Sequence, residues 1–317
     1  MQPNFRKFYY KSLGVQTIQA KLSVENVFGD KVLDTENLRK LCLWVRIPHS
    51  DRVSVWKVLL GVLPLAKEAW SDVNEQRQSQ FEALWTAERL LFSSTSESLR
   101  QPVLDPDAQA TNLDAAAHKI HRMLRLYMAA HSRSLSPWMQ IPALSDQFVH
   151  VARALLEICD LSCMDAFWLL KGFWKGLEGE TTKESIDNHV AVLNSLLKTH
   201  CEPLHLHLEI MGGDFADIYE CWFGTLFACI IPSQPLESIW DIVVGGASAV
   251  FPYIALELLL SVKTRLLSCR DAAEMVAIVK DIENVADMDS VVNTAIGHWE
   301  KPILATMSKD NRRIIGY

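Results

Sequence analysis

Apolar residues between positions 33 and 45 recur three and four apart, so that Leu38, Leu41, Cys42 and Val45 share one helix face. Asp34 or Thr35 stands where an N-cap is needed. The same period governs most of the chain, and no run alternates apolar and polar positions as a half-buried strand would. Ser50 is expected to cap a second helix, with Asp51 favourable beside its N-terminal dipole and Gly61 and Pro64 closing it. A longer helix is expected over 71–92, ended by the serine-rich 93–98 and by PVLDPDAQATN. Helical pattern resumes near Asp114 and continues to about His131. SRSLSPWMQIPALS, with Pro137 and Pro142, then reads as a second extended connection.

FVHVARALLEIC and MDAFWLLKGFWKGL are apolar enough for central helices. Thr181 and Glu184 have capping-box spacing ahead of Ile186, Val190, Leu193 and Leu197. Further helices are expected over about 216–230, 235–243, 248–268, 271–283 and 289–306. Two uncharged runs, 221–236 and 242–256, fall short of the roughly 20 residues that span a bilayer. Pro232 interrupts the first, and two glycines and Pro252 the second, so both read as buried core. The pattern predicts an all-α fold without significant β-sheet and without a solenoid repeat.

The 317 residues are 49% apolar and 22% charged and include 10 Trp and 12 Phe, which supplies a sizeable core and excludes long disorder. A net charge of −7 creates no general attraction to nucleic acid or anionic lipid. The seven cysteines (42, 159, 163, 201, 221, 229 and 269) contain no CxxC and read as reduced, buried residues of a cytoplasmic protein. MQPNFRKFYYKS lacks the apolar stretch of a signal peptide.

Few residues suggest chemistry. His118, His121 and His131 lie among Lys119, Arg122, Arg125 and Arg133, and read as a solvated basic face rather than a metal site; partner or anion binding is the functional alternative. His205 and His207, with Cys201 and Asp214 nearby, match no zinc-finger spacing, and residues two apart on a helix point away from each other. GGDFADIY lacks the strand–loop–helix setting of a phosphate cradle, and GxSxG, HExxH and GxxxxGK[ST] are absent. No metal or cofactor is expected.

Five segments in order resemble the motifs of the TBC-domain family, the fold of Rab GTPase-activating proteins. They are IPHSDRVSVWKVLLG (47–61), HRMLRLYM (121–128), ALLEICDLSCMDAFWLL (154–170), EPLHLHLE (202–209) and CWFGTLFACIIPSQPLESIWDIVVGGASAVF (221–251). The resemblance implies two packed helical lobes, the N-terminal one over about 1–177 and the C-terminal one over about 178–307, then a short tail, 308–317. It gives Arg52, Trp56, Phe167, Trp168, Trp240 and Asp241 structural roles.

Active family members accelerate GTP hydrolysis with an arginine in IxxDxxR and a glutamine in YxQ. Such an arginine contributes roughly 10³–10⁵ in rate. Here 78–92 contains no IxxDxxR; Arg89 is its one arginine, and Ala87 or Glu88 stands near the aspartate position. Gln147 keeps the glutamine position, but Ser145 replaces the tyrosine. Gln147 is either a relic finger or an exposed polar residue at a helix start.

NFRKFYY (4–10), LDTENL (33–38) and VWKVLLGVLP (55–64) are similar to a small branch of the family whose members serve as the third subunit of the tuberous sclerosis complex. That likeness implies a non-catalytic subunit bound to the coiled coil of hamartin, which scaffolds tuberin. The complex restrains mTOR signalling through Rheb, and partners would recruit the subunit to the lysosome or other endomembranes. Phe81, Leu84, Trp85 and Leu91 are the candidate partner-binding residues, because their helix stands where the arginine finger is otherwise built; the alternative is that they face the domain's own core. The rival functions are a weak or atypical Rab GTPase-activating protein using Gln147 and Arg89, and a Rab effector that binds a small GTPase without catalysis.

Overall fold

A computed structural model describes residues 27–92, 109–131, 145–177, 179–212 and 215–314. Expectations for 4–10, 93–98 and 132–144 lie outside these. The chain divides into two compact units, 1–176 with 244–246 and 177–243 with 247–317. The described residues hold no sheet; one isolated bridge pairs Val32 with Ala66.

In the first unit, Asp34 caps α1 (Thr35–Trp44) by accepting the Glu36 amide at 2.9 Å, and Leu38, Leu41 and Cys42 turn inward. The next helix, α2 (His49–Leu59), is not capped by Ser50 as expected. Pro48 occupies its N-cap without a side-chain bond, and Ser50 lies inside the first turn with its hydroxyl on Asp51. Pro48 already sets the entry, because its ring fixes φ and its own N–H is missing. Arg52, Val55, Trp56 and Val58 are buried on α2, and Gly61 (φ +69°) reverses the chain after it.

Two long helices follow, α3 (Trp70–Phe92) and α4 (Gln109–His131), which pack on each other. The second begins ahead of the expected Asp114. α5 (Val149–Ile158) packs on α4 and buries six apolar residues, from Val151 to Ile158. α6 (Cys163–Leu177) carries the aromatic centre of the unit in Phe167, Trp168 and Phe173.

Gly172 of α6 lies against Leu60: a Cβ built there would stand 2.8 Å from Leu60 Cβ. That atom is fixed to the backbone and has no rotamer to escape into. Gly172→Ala is therefore expected to destabilise by about 1–3 kcal/mol, although Ala is the better helix former. Leu60→Ala keeps its own Cβ and should not rescue it, whereas Leu60→Gly should. Equal urea midpoints for wild type and Gly172→Ala would refute the close contact.

The second unit begins with α7 (Lys183–His200). Its cap is Thr182, whose hydroxyl accepts the Ser185 amide at 3.3 Å, one residue beyond the expected Thr181; Ser185 stands where a capping box would need Glu, and its hydroxyl donates to Glu180 instead. Ile186, Leu193 and Leu197 are buried and Val190 is half-buried. α8 (Glu202–Met211) carries Pro203 in its first turn and ends on Gly212 (φ +63°). α9 (Ala216–Gly224) stops earlier than the expected 230, because Leu226 and Phe227 turn left-handed (φ +53° and +67°).

α10 (Ser233–Val244) then leads to α11 (Phe251–Ser261), buried on nearly every side. The expected helix over 248–268 breaks at Val262, which separates α11 from α12 (Lys263–Ser268). The expected helix over 271–283 likewise divides into α13 (Ala272–Lys280) and α14 (Ile282–Val285). The last helix, α15 (Met288–Ile314), runs past the expected 306 through most of the supposed tail, 308–317. α7 packs against α8, α9 and α11, and α11 against α15. Its buried Glu257 meets His298 Nδ1 at 2.8 Å. Among the described residues no helix is long and apolar enough to cross a membrane.

Candidate functional site

The glutamine position lies in a short 3-10 turn, Asp146–Phe148, immediately before α5. Both ends of this turn are anchored. At one, the Ser145 hydroxyl accepts the Gln147 amide at 3.3 Å, and His121 Nε2 lies 3.2 Å from the Ser145 carbonyl, placed to donate to it. Burial holds the His121 imidazole below its ordinary pKa of 6.5, favouring the neutral ring. At the other end, Phe148 is buried edge-on against Trp174 with centroids 5.7 Å apart. Between them Gln147 faces solvent.

The α3 residues take two separate environments. Phe81 is buried between Trp85 and Phe167, with ring centroids 5.5 and 5.9 Å away, so it belongs to the core and not to a partner surface. Leu84 and Trp85 are half-buried. One turn beyond Glu88 the stripe comes into the open: Leu91 is 65% and Phe92 52% exposed, while Leu90, 76% exposed, lies on the opposite side of the helix.

Glu88 is one of the two residues that stand near the aspartate position of IxxDxxR. It lies on the Phe81 face of α3 at i+7, only 3% exposed. Its carboxylate takes Arg122 Nη2 at 2.6 Å and Nε at 2.8 Å, and lies 3.5 Å from Lys119 Nζ. The Lys119 ammonium also lies 3.5 Å from the centroid of the Trp85 ring. Burial lowers the Lys119 pKa from 10.5 and Glu88 opposes that, while Arg122 and Arg89 repel the charge. Arg89 has no ion-pair partner among the described residues, and none of their hydrogen bonds joins it to Gln147.

The expected solvated basic face is thus corrected in part. His121 is buried, and Lys119 and Arg122 turn to a buried carboxylate rather than to water alone. His118 is exposed, and His131 stacks on Tyr127 at 3.9 Å; Arg133 lies outside the described residues. In the second unit, Cys201 is buried, His205 Nδ1 lies 3.9 Å from Glu209, and His207 Nε2 is buried without a partner. Asp214 lies outside the described residues. No group of three or more His, Cys, Asp or Glu among the described residues is placed to hold a metal.

The six motif residues given structural roles are all buried. Arg52 Nη2 donates to the Ile47 carbonyl at 2.7 Å, and Trp56 meets Phe173 at 5.7 Å. Trp168 donates its indole N–H to the Arg77 carbonyl at 3.3 Å, under the Arg77 guanidinium, and lies beside Phe167. Trp240 donates to the Leu226 carbonyl at 3.0 Å, with Asp241 buried next to it.

Residues 147–267 match the family model described as the Rab-GTPase-TBC domain. TBC1 domain family member 7 of Homo sapiens is 27% identical over 304 residues, covering 95% of this chain and 95% of its own length. The Danio rerio protein of the same name is 28% identical over 305 residues, with the same coverage. Among solved structures, the Ypt/Rab-GAP domain of Gyp1p covers 89% of this chain and 99% of its own with a TM-score of 0.60 at 16% identity. The Chlamydomonas flagellar RabGAP TBC domain covers 92% and 95% with a TM-score of 0.58, again at 16% identity. At that identity these two establish the fold.

Proposed function

We propose that this chain, which carries a TBC domain, serves as a non-catalytic accessory subunit that holds a partner's coiled-coil helices rather than accelerating GTP hydrolysis. The observation that carries the reading is the last turn of α3, where Leu91 and Phe92 end the Phe81 stripe and stand exposed. In IxxDxxR the arginine follows the acid by three residues; counted from Glu88, that position is Leu91. An apolar side chain there cannot neutralise charge on a transferring phosphoryl group. It is the kind of anchor that a coiled-coil helix would cover.

Glu88 supports the same reading. A carboxylate satisfied by Arg122 and Lys119 ties α3 to α4 as framework. At the other finger, Gln147 is exposed, and Ser145, not tyrosine, precedes it by two. The likeness to TBC1 domain family member 7 and to the accessory subunits of the tuberous sclerosis complex points to hamartin's coiled coil, within a complex that also holds tuberin.

Size-exclusion chromatography with light scattering, on this protein mixed with hamartin's coiled coil, should show co-elution at a defined mass. Leu91→Glu should weaken binding by about 30-fold, the loss of one central apolar anchor, with an unchanged melting temperature. Separate elution at micromolar concentrations would remove the partner. GTP hydrolysis stimulated across a Rab panel and abolished by Gln147→Ala or Arg89→Ala would overturn catalytic silence.

A further inference from the structure

The second unit contains a cleft of about 690 Å³, walled by α7, α8 and α9 and far in sequence from the α3 patch. Its floor is apolar: Ile186, Val190 and Leu197 from α7, Leu208 from α8, and Phe215 and Tyr219 at the start of α9. Phe215, Ile186 and Leu197 are buried, and burial pushes the Tyr219 phenol up to about 12. The rim is acidic. Asp187, Glu209 and Glu220 stand exposed around it, against the ammonium of Lys183 and the imidazole of His205, which lies 3.9 Å from Glu209.

The shape of the walls limits the occupant. The α7 residues that line the cleft run from Lys183 through Ile186, Val190 and Asn194 to Leu197, one side of a helix over four turns, or about 21 Å at 1.5 Å per residue. A small molecule would use one end of such a trough, whereas a parallel helix of about fourteen residues would use its whole length. One position beyond the lining residues His205 and Glu209, Leu206 and Ile210 are 47% and 79% exposed, and extend the apolar surface onto the outside of α8. A helix lying along the trough therefore has apolar anchors to bury and an acidic rim to meet.

We propose that this cleft is a second docking site, and that its occupant is a cationic amphipathic helix of a partner protein. The partner sets leucine-like side chains at i, i+3, i+4 and i+7 onto the α7–α8–α9 floor. Its flanking Lys or Arg residues meet Asp187, Glu209 and Glu220. The charge complementarity steers association and selects against acidic helices, more than it adds affinity.

The test uses the full chain and a fluorescein-labelled helical peptide of about fourteen residues, with Leu on one face and Lys on the other. Fluorescence anisotropy should show binding that weakens with added salt, and a peptide of the same length with Glu for Lys should bind at least about tenfold more weakly. Asp187→Lys with Glu220→Lys, both exposed and outside the core, should weaken the cationic peptide by about tenfold with an unchanged melting temperature. Leu91→Glu should leave peptide binding intact, which separates this proposal from the α3 reading. Binding indifferent to the charge reversal, or equal for both peptides, would overturn it. So would a photo-crosslinker at Val190 that captures a second copy of this chain, or a segment of it from outside the cleft walls α7, α8 and α9.

Discussion

Trp240→Ala is expected to cost about 4 kcal/mol of unfolding free energy, the range for truncating a fully buried indole. Trp240 is 0% exposed, and its N–H bonds the Leu226 carbonyl at 3.0 Å. Leu226 and Phe227 both adopt positive φ without being glycine, which costs about 1–2 kcal/mol each. Something must hold that turn, and five contacts do. Thr225 Oγ1 donates to the Cys221 carbonyl at 2.7 Å and accepts the Cys229 amide at 3.2 Å. The Phe227 ring packs on Phe223 and Phe251 at 5.3 and 5.6 Å, and the indole caps Leu226. Trp240→Phe keeps most of the packing but orphans the Leu226 carbonyl, so about 1–2 kcal/mol should be lost. Urea denaturation of the two variants separates the terms. A cost below about 1 kcal/mol for Trp240→Ala would mean that the turn is held without the indole.

This turn also marks where sequence reasoning stops. Helical periodicity is a local signal, and it located the inward face of α1 because its buried residues Leu38, Leu41 and Cys42 stand three and four apart. From 221 to 236 no residue is charged, so the pattern has no charged face against which to register a break. Neither Leu226 nor Phe227 is a turn former; tertiary contacts from Trp240 and Phe251 impose the reversal. Caps fail for a smaller reason. Thr181 and Thr182 are chemically equivalent, and only the backbone geometry selects which hydroxyl reaches a free amide.

The candidate site was legible in the same uneven way. Motif spacing led to Gln147, Ser145 and the α3 stripe, but it could not divide that stripe into a buried Phe81 and an exposed Leu91. Which turn of α3 is covered depends on where α4 lies. The burial of Glu88 escaped for the converse reason. A lone carboxylate on an apolar helix face looks solvated until its partners, 31 and 34 residues on, are seen to face it.

Glu88→Ala is accordingly expected to cost about 3 kcal/mol, well above the value of a surface ion pair. The carboxylate is almost fully buried, while the side chains of Arg122 and Lys119 keep 38% and 20% exposure. Arg122 would recover some hydration by moving outward, which holds the cost near the lower end for a broken buried pair. Lys119 has less freedom: it remains against Trp85 and loses the one group that raises its pKa there. Its folded pKa, already below 10.5, should fall further. A lysine whose pKa is depressed by folding binds fewer protons in the native state than in the unfolded one, so stability rises with pH between the two values. The deficit of Glu88→Ala should therefore shrink as pH approaches 10.5, whereas a deficit from lost packing alone would be insensitive to pH. Glu88→Gln preserves volume and an acceptor for Arg122, and should fall between wild type and Ala with the same pH trend. If both variants unfold at the wild-type urea midpoint, the cluster contributes no stability and the packing of α3 on α4 rests on its apolar contacts alone.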